Sequence, residues 1–216
     1  EEHVDYQVAS YGVEVLNQKH NKPFFLAVGI VKPHLPFDAP KRFFDALPEN
    51  IEAPAIFKDD LIDIPEEGNS FRRAGDDRRF KKDKAWEDVR RAYLACNSWA
   101  DFNIGRVLDA LENSPYANNT IVVLWSDHGF HQGEKMSFRK FTLWEEATRV
   151  PFIIYDSRNI AGVKGNCNQP VSLINIYKTL AEMSGLETPD YVDGESLVPQ
   201  LKNPKEKLKP AITSWG

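Results

Sequence analysis

Three groups of side chains in this 216-residue chain are of types that do chemistry. Asp127 and His128 stand side by side, just ahead of Gly129. A carboxylate and an imidazole on one turn can both ligate a single divalent metal. The glycine would let backbone come close to an ion or a substrate. A capping Asp beside a hydrogen-bonded His fits the same triplet equally well. The second group is His34, within Lys32-Pro33-His34-Leu35-Pro36-Phe37. Its flanking prolines stiffen the backbone and preset the direction of the ring, as a general acid requires. A turn histidine packed on Phe37 is the plainer alternative. The third group is Lys135, Arg139 and Lys140. Lys140 lies 13 residues beyond Asp127. A lysine near a metal can neutralise a non-bridging oxygen of sulfate or phosphate. Solvated loop lysines are the commoner case.

Other nucleophile signals are missing. There is no G-x-S-x-G elbow, no P-loop and no H-E-x-x-H. Cys96 falls within a helical pattern and reads as packed, and Cys167 lies on a loop with no base beside it. Residues 70–91 hold nine Lys/Arg against five Asp/Glu. That stretch can attract an anionic glycan, or simply be a mixed-charge surface leading into a helix. Asn118-Asn119-Thr120 is a glycosylation sequon, of consequence only in a secretory eukaryote.

The elements that must position these groups read as an α/β alternation. Val4, Val8, Tyr11, Val15 and Leu16 predict a first helix with one apolar face. Residues 24–30 (FFLAVGI) read as a strand covered on both faces. Residues 38–83 look irregular apart from a short helix near 40–46. The clearest helix spans 84–113, with a stripe of Trp86, Val89, Tyr93, Ala100, Ile104, Val107, Leu108 and Leu111. Strands follow at 120–125 (TIVVLW) and 150–155 (VPFIIY), then a helix at 172–183. Such alternation predicts a largely parallel sheet with helices on both faces, and ligands at the carboxyl ends of its strands. His34 and Asp127-His128 are expected there.

Composition agrees with one large domain or part of one. The chain is 42% hydrophobic and 27% charged, enough for a sizeable core. A net charge of -5 argues against broad nucleic-acid binding. The longest apolar run is strand-sized, so no membrane span is expected. Two cysteines exclude a disulfide scaffold. The opening Glu1-Glu2-His3 and an ending just past a new apolar run suggest a fragment.

Taken together, K-P-F-F-L-A-V-G, K-P-H-L-P-F, S-D-H-G-F-H-Q-G-E, Lys140 and E-A-T-R-V-P-F-I-I-Y, in that order, resemble the sulfatase family. The iduronate-2-sulfatase and choline-sulfatase-like branch is the nearest in pattern. The resemblance covers essentially the whole chain. It implies an alkaline-phosphatase-like α/β domain with a mostly parallel mixed sheet. It also implies hydrolysis of a sulfate ester, a sulfated sugar before a simple aryl sulfate, by a formylglycine and a Ca²⁺ ion. By that resemblance Asp127 and His128 match calcium ligands and His34 the proton donor to the leaving group. Lys140 matches the lysine on the sulfate. Lys135 stands where the branch has histidine, and His131 also departs from it; both are candidate substrate contacts. The resemblance implies the periplasm, the extracellular space or the lysosome as the place of action.

The family's C-x-[PA]-S-R signature, with the Asp-Asp pair that goes before it, does not occur here. The chain therefore reads as residues 1–216 of the C-terminal part of a catalytic domain, inactive by itself. Two ligands alone would hold Ca²⁺ poorly, since it takes 6–8 oxygens. A phosphodiesterase or phosphonate hydrolase of the same superfamily, and a non-catalytic binding module, are the alternatives.

Overall fold

Helix α1 (Val4–Asn17) buries Asp5, Ala9, Gly12 and Leu16. In the computed structural model, which describes residues 3–52, 55, 57, 59–72, 74–83, 85–158 and 165–214, this face differs from the predicted one. Val4 and Tyr11 are exposed instead. Small residues decide the face: a Cβ on Gly12 would meet Val28 Cγ2 at 3.1 Å, so the backbone itself is packed there.

The chain divides into two compact units. Unit 1 comprises Glu1–Asn118 and Phe130–Phe141. Its frame is α1 against the long helix α5 (Trp86–Glu112). Trp99, 2% exposed, is the hub. It stacks on Tyr6 (6.3 Å) and Phe102 (5.6 Å) and meets His3 (5.4 Å) and Phe43 (5.2 Å) edge-on. Arg106 ties the two helices, donating to Tyr6 O (3.2 Å) and Ser10 Oγ (2.7 Å). Three short helices lie between: α2 (Lys41–Asp45), α3 (Glu66–Ser70) and α4 (Ala74–Lys82). Helix α4 has acids in its first turn and bases in its last, which suits the helix dipole. It is too polar to show an apolar stripe, so periodicity misses it.

Residues 24–31 are not a ladder strand. They run without a strand partner among the described residues. Nor is the run covered on both faces: Phe25 is 83% exposed and Val31 54%, so an apolar run by itself secures neither burial nor the hydrogen-bonded neighbour a strand needs. Phe24 instead packs on His20 (4.5 Å) and Tyr116 (5.1 Å).

Unit 2 comprises Asn119–Gly129 and Thr142–Gly216. Strands β1 (Ile121–Trp125) and β4 (Phe152–Asp156) pair with Ile121 opposite Asp156 and Trp125 opposite Phe152. The ladder is antiparallel, not the parallel pairing that the alternation predicts. Ile153 and Tyr155 are more than half exposed, so β4 is covered on one face, as antiparallel strands commonly are. Arg158 closes the end of β4, bonding Asp156 (2.8 and 3.0 Å) and Met183 O (3.1 Å). Helices α6 (Glu145–Thr148), α7 (Asn175–Met183) and α8 (Val198–Lys202) complete the unit. Strands β2 (His131–Gln132) and β3 (Phe138–Arg139) form a small antiparallel hairpin in unit 1.

Candidate active site

The segment around His34 is fixed from its backbone outward. Asp5, 2% exposed, accepts the N–H groups of Val31 (2.8 Å) and Lys32 (3.0 Å). The Lys32 ammonium donates to Pro36 O (2.6 Å) and to the Asp38 carboxylate. That bond from Lys32 holds Asp38 below the ordinary carboxylate value. Phe37 sits edge-on to Tyr93 (5.6 Å) and Phe130 (5.8 Å). Those rings, not the imidazole, receive Phe37. The Lys32–Pro33 and Leu35–Pro36 bonds are both cis.

His34 is exposed, with its ring oriented at both nitrogens. Nδ1 lies 2.7 Å from Leu35 O. A carbonyl only accepts, so Nδ1 carries a hydrogen and donates it. Nε2 lies 2.8 Å from Lys140 Nζ. Two nitrogens at that distance share one proton: either the ammonium donates to the imidazole, or the imidazolium donates to the amine.

Lys140 follows β3 directly. Of the two other candidates in the hairpin, Lys135 directs its ammonium to Asp60 Oδ1 (2.5 Å) and Asp60 O (2.9 Å). Its backbone N–H goes to Asp60 Oδ2 (3.1 Å). His131 is 0% exposed. The structure brings His34 and Lys140 together and sets Lys135 and His131 to other partners or to the interior.

In unit 2, Asp127 and His128 follow β1. Asp127 is exposed, and His128 is about three-quarters covered at 26%. The His128 Nδ1 donates to Gly129 O (2.8 Å), which fixes the tautomer and leaves the ring's lone pair on Nε2. Nε2 stands 3.7 Å from Asp127 Oδ2. That separation suits two neighbouring positions on one ion at ordinary bond lengths. The pair fits part of a metal sphere. Among the described residues, no group of three or more His, Cys, Asp and Glu is placed to hold a metal.

Gly129 has a packing task of its own. Its N–H donates to Ala147 O (2.8 Å), and a Cβ there would lie 2.0 Å from Glu146 O. The glycine admits helix α6.

Sequence reading missed Asp5, Asp60 and Asp76. Asp76 accepts from Arg139. None stands in a motif. For Asp76 the one signal was the charge density of residues 70–91.

The chain belongs to the sulfatase family: its family model, Sulfatase, matches residues 1–186. A sulfatase from Formosa agariphila is 42% identical over 98% of this chain and 42% of its own length. Iduronate 2-sulfatase of Homo sapiens is 28% identical over 86% of this chain and 40% of that protein. The chain spans about four-tenths of the length of these relatives. Among solved structures, BT4656 in complex with its substrate D-glucosamine-2-N,6-O-disulfate matches with a TM-score of 0.65. It is 22% identical and is matched over 93% of this chain and 52% of its own. The fold is thus the alkaline-phosphatase-like fold of sulfatases. Among the described residues, no helix is long and apolar enough to cross a membrane.

Proposed function

We propose that this chain supplies part of the catalytic apparatus of a sulfuric ester hydrolase acting on a sulfated sugar. The observation that carries the reading is the 2.8 Å His34–Lys140 contact in a chain of the sulfatase family. The disulfated glucosamine held by BT4656 supports the substrate class.

Hydrolysis of a sulfate ester breaks the S–O bond to the sugar, leaves an oxygen from water on sulfur, and needs a proton on the departing alkoxide. A sugar alkoxide is a poor leaving group, so the proton matters. The His34–Lys140 line holds one. Leu35 O, through Nδ1–H, keeps the ring turned while Nε2 delivers it. Lys140, whose ammonium feeds that proton to Nε2, carries the positive charge that opposes charge on the sulfuryl oxygens until the proton leaves with the alkoxide.

Asp127 and His128 would hold a divalent ion, Ca²⁺ by the family resemblance, with further ligands from outside residues 1–216. When bound, such an ion supplies charge neutralisation at the sulfuryl oxygens. The residue that becomes formylglycine is proposed to lie upstream, in the N-terminal half of the catalytic domain.

The test uses the native gene product. Peptide mapping should find a Cys or Ser oxidised to formylglycine, and incubation with glucosamine 6-sulfate should release inorganic sulfate. An unmodified protein that releases no sulfate from any sulfated sugar would sink the reading.

A further inference from the structure

The hairpin that ends in Lys140 is folded in an unusual way. Lys135 (φ 52°), Met136 (φ 47°) and Arg139 (φ 75°) all adopt left-handed backbone, and Gly133 (φ 122°) precedes them. Side chains with a Cβ rarely take this conformation, and it persists where surrounding contacts over-determine it. Two such contacts are present, both within unit 1. Asp60 accepts three hydrogen bonds from Lys135 alone. Asp76, at the first turn of α4, pairs with Arg139. The second matters more to the site. A positive φ in the residue before Lys140 turns the chain out of the β3 direction, and Lys140 then meets His34 Nε2.

We infer that Asp76 and Arg139, seconded by Asp60 and Lys135, are positioning residues: they hold the hairpin in its left-handed course and so bring Lys140 to His34. The inference rests on the reading of His34 and Lys140 as an acting pair. It assigns Lys135 a tether in place of a substrate contact. Neither Asp60 nor Asp76 touches the His34–Lys140 pair itself.

The experiment reads the pair directly, in the native gene product labelled with ¹⁵N-histidine. The Lys140→Met variant gives the His34 Nε2 shift with the contact gone. Asp76→Asn and Arg139→Ala should each move that signal toward the Lys140→Met position. They should also lower kcat on glucosamine 6-sulfate about tenfold, with KM changed less. Arg139→Gly, which accepts φ near 75° without strain, should keep more of the wild-type shift than Arg139→Ala. Should Arg139→Ala fail to fold, Asp76→Asn, which removes the charge at unchanged size and shape, carries the test. An unmoved His34 signal in Asp76→Asn, beside a moved one in Lys140→Met, would overturn the inference. So would a Lys140→Met variant with a wild-type His34 signal. Shifts that move as expected in a protein that hydrolyses no sulfate ester would uphold the clamp and reject the sulfatase reading.

Discussion

At the scale of single residues, the two cysteines show how placement decides reactivity. Cys96 is 0% exposed on α5, with its Sγ near Asp38 O (3.7 Å). Burial pushes its thiol up to about 11. The thiolate is the reactive form, so Cys96 should be inert near neutral pH. Cys167 is exposed. An aromatic disulfide reagent at pH 8 should therefore label Cys167 in the native protein and Cys96 only after unfolding. Fast labelling of Cys96 in the folded state would contradict the packing around Trp99. Sequence motifs singled out His34 and Lys140, which the structure brings to 2.8 Å across 106 positions of sequence. They were a poor guide for Asp60 and Asp76. Those acids act through long-range pairs, and no local pattern announces such a partner.

At the scale of elements, two segments carry the site groups, and each has its own support. The His34 segment depends on Lys32–Asp38. Because the Asp38 carboxyl is held below its ordinary value, the sign of its linkage is clear. The pair adds stability above the unfolded-state value, roughly pH 4, and loses it as the pH falls through the lower folded-state value. Asp38→Asn should remove this part of the acid sensitivity, read as a flatter curve of unfolding midpoint against pH below about 4. An unchanged slope would show that the pair is solvated in both states. The Asp127-His128 segment depends on Gly129 against α6. Gly129→Ala places a methyl on the Glu146 carbonyl, where only backbone could yield. It should cost about 2–3 kcal/mol in denaturant unfolding. A neutral substitution would mean that α6 stands further off. Helices α1, α5 and α7 were legible from periodicity and from their stops. The face of α1 was not, because Ala9 and Gly12 pack by their small size and carry little hydrophobic signal. The parallel sheet was over-read: alternation of apolar runs with helices gives no information on strand direction, and β1 and β4 run antiparallel.

At the scale of the whole molecule, the chain spans about four-tenths of its sulfatase relatives, with a net charge of -5 and His34 and Asp127-His128 on separate units. Each unit orients its own pair through backbone carbonyls: Leu35 O for His34 and Gly129 O for His128. The same device, an imidazole fixed at Nδ1, recurs in both units; on the proposed reading it serves a proton in one and a metal in the other. His34 is the proposed source of the leaving-group proton, and dependence on the leaving group tests that role. In the native gene product, His34→Ala should lower kcat on glucosamine 6-sulfate by about 10²–10⁴, because the sugar alkoxide needs a proton. It should lower kcat on 4-nitrophenyl sulfate far less, since nitrophenolate departs without one. Equal losses on the two esters, or none on either, would contradict the account.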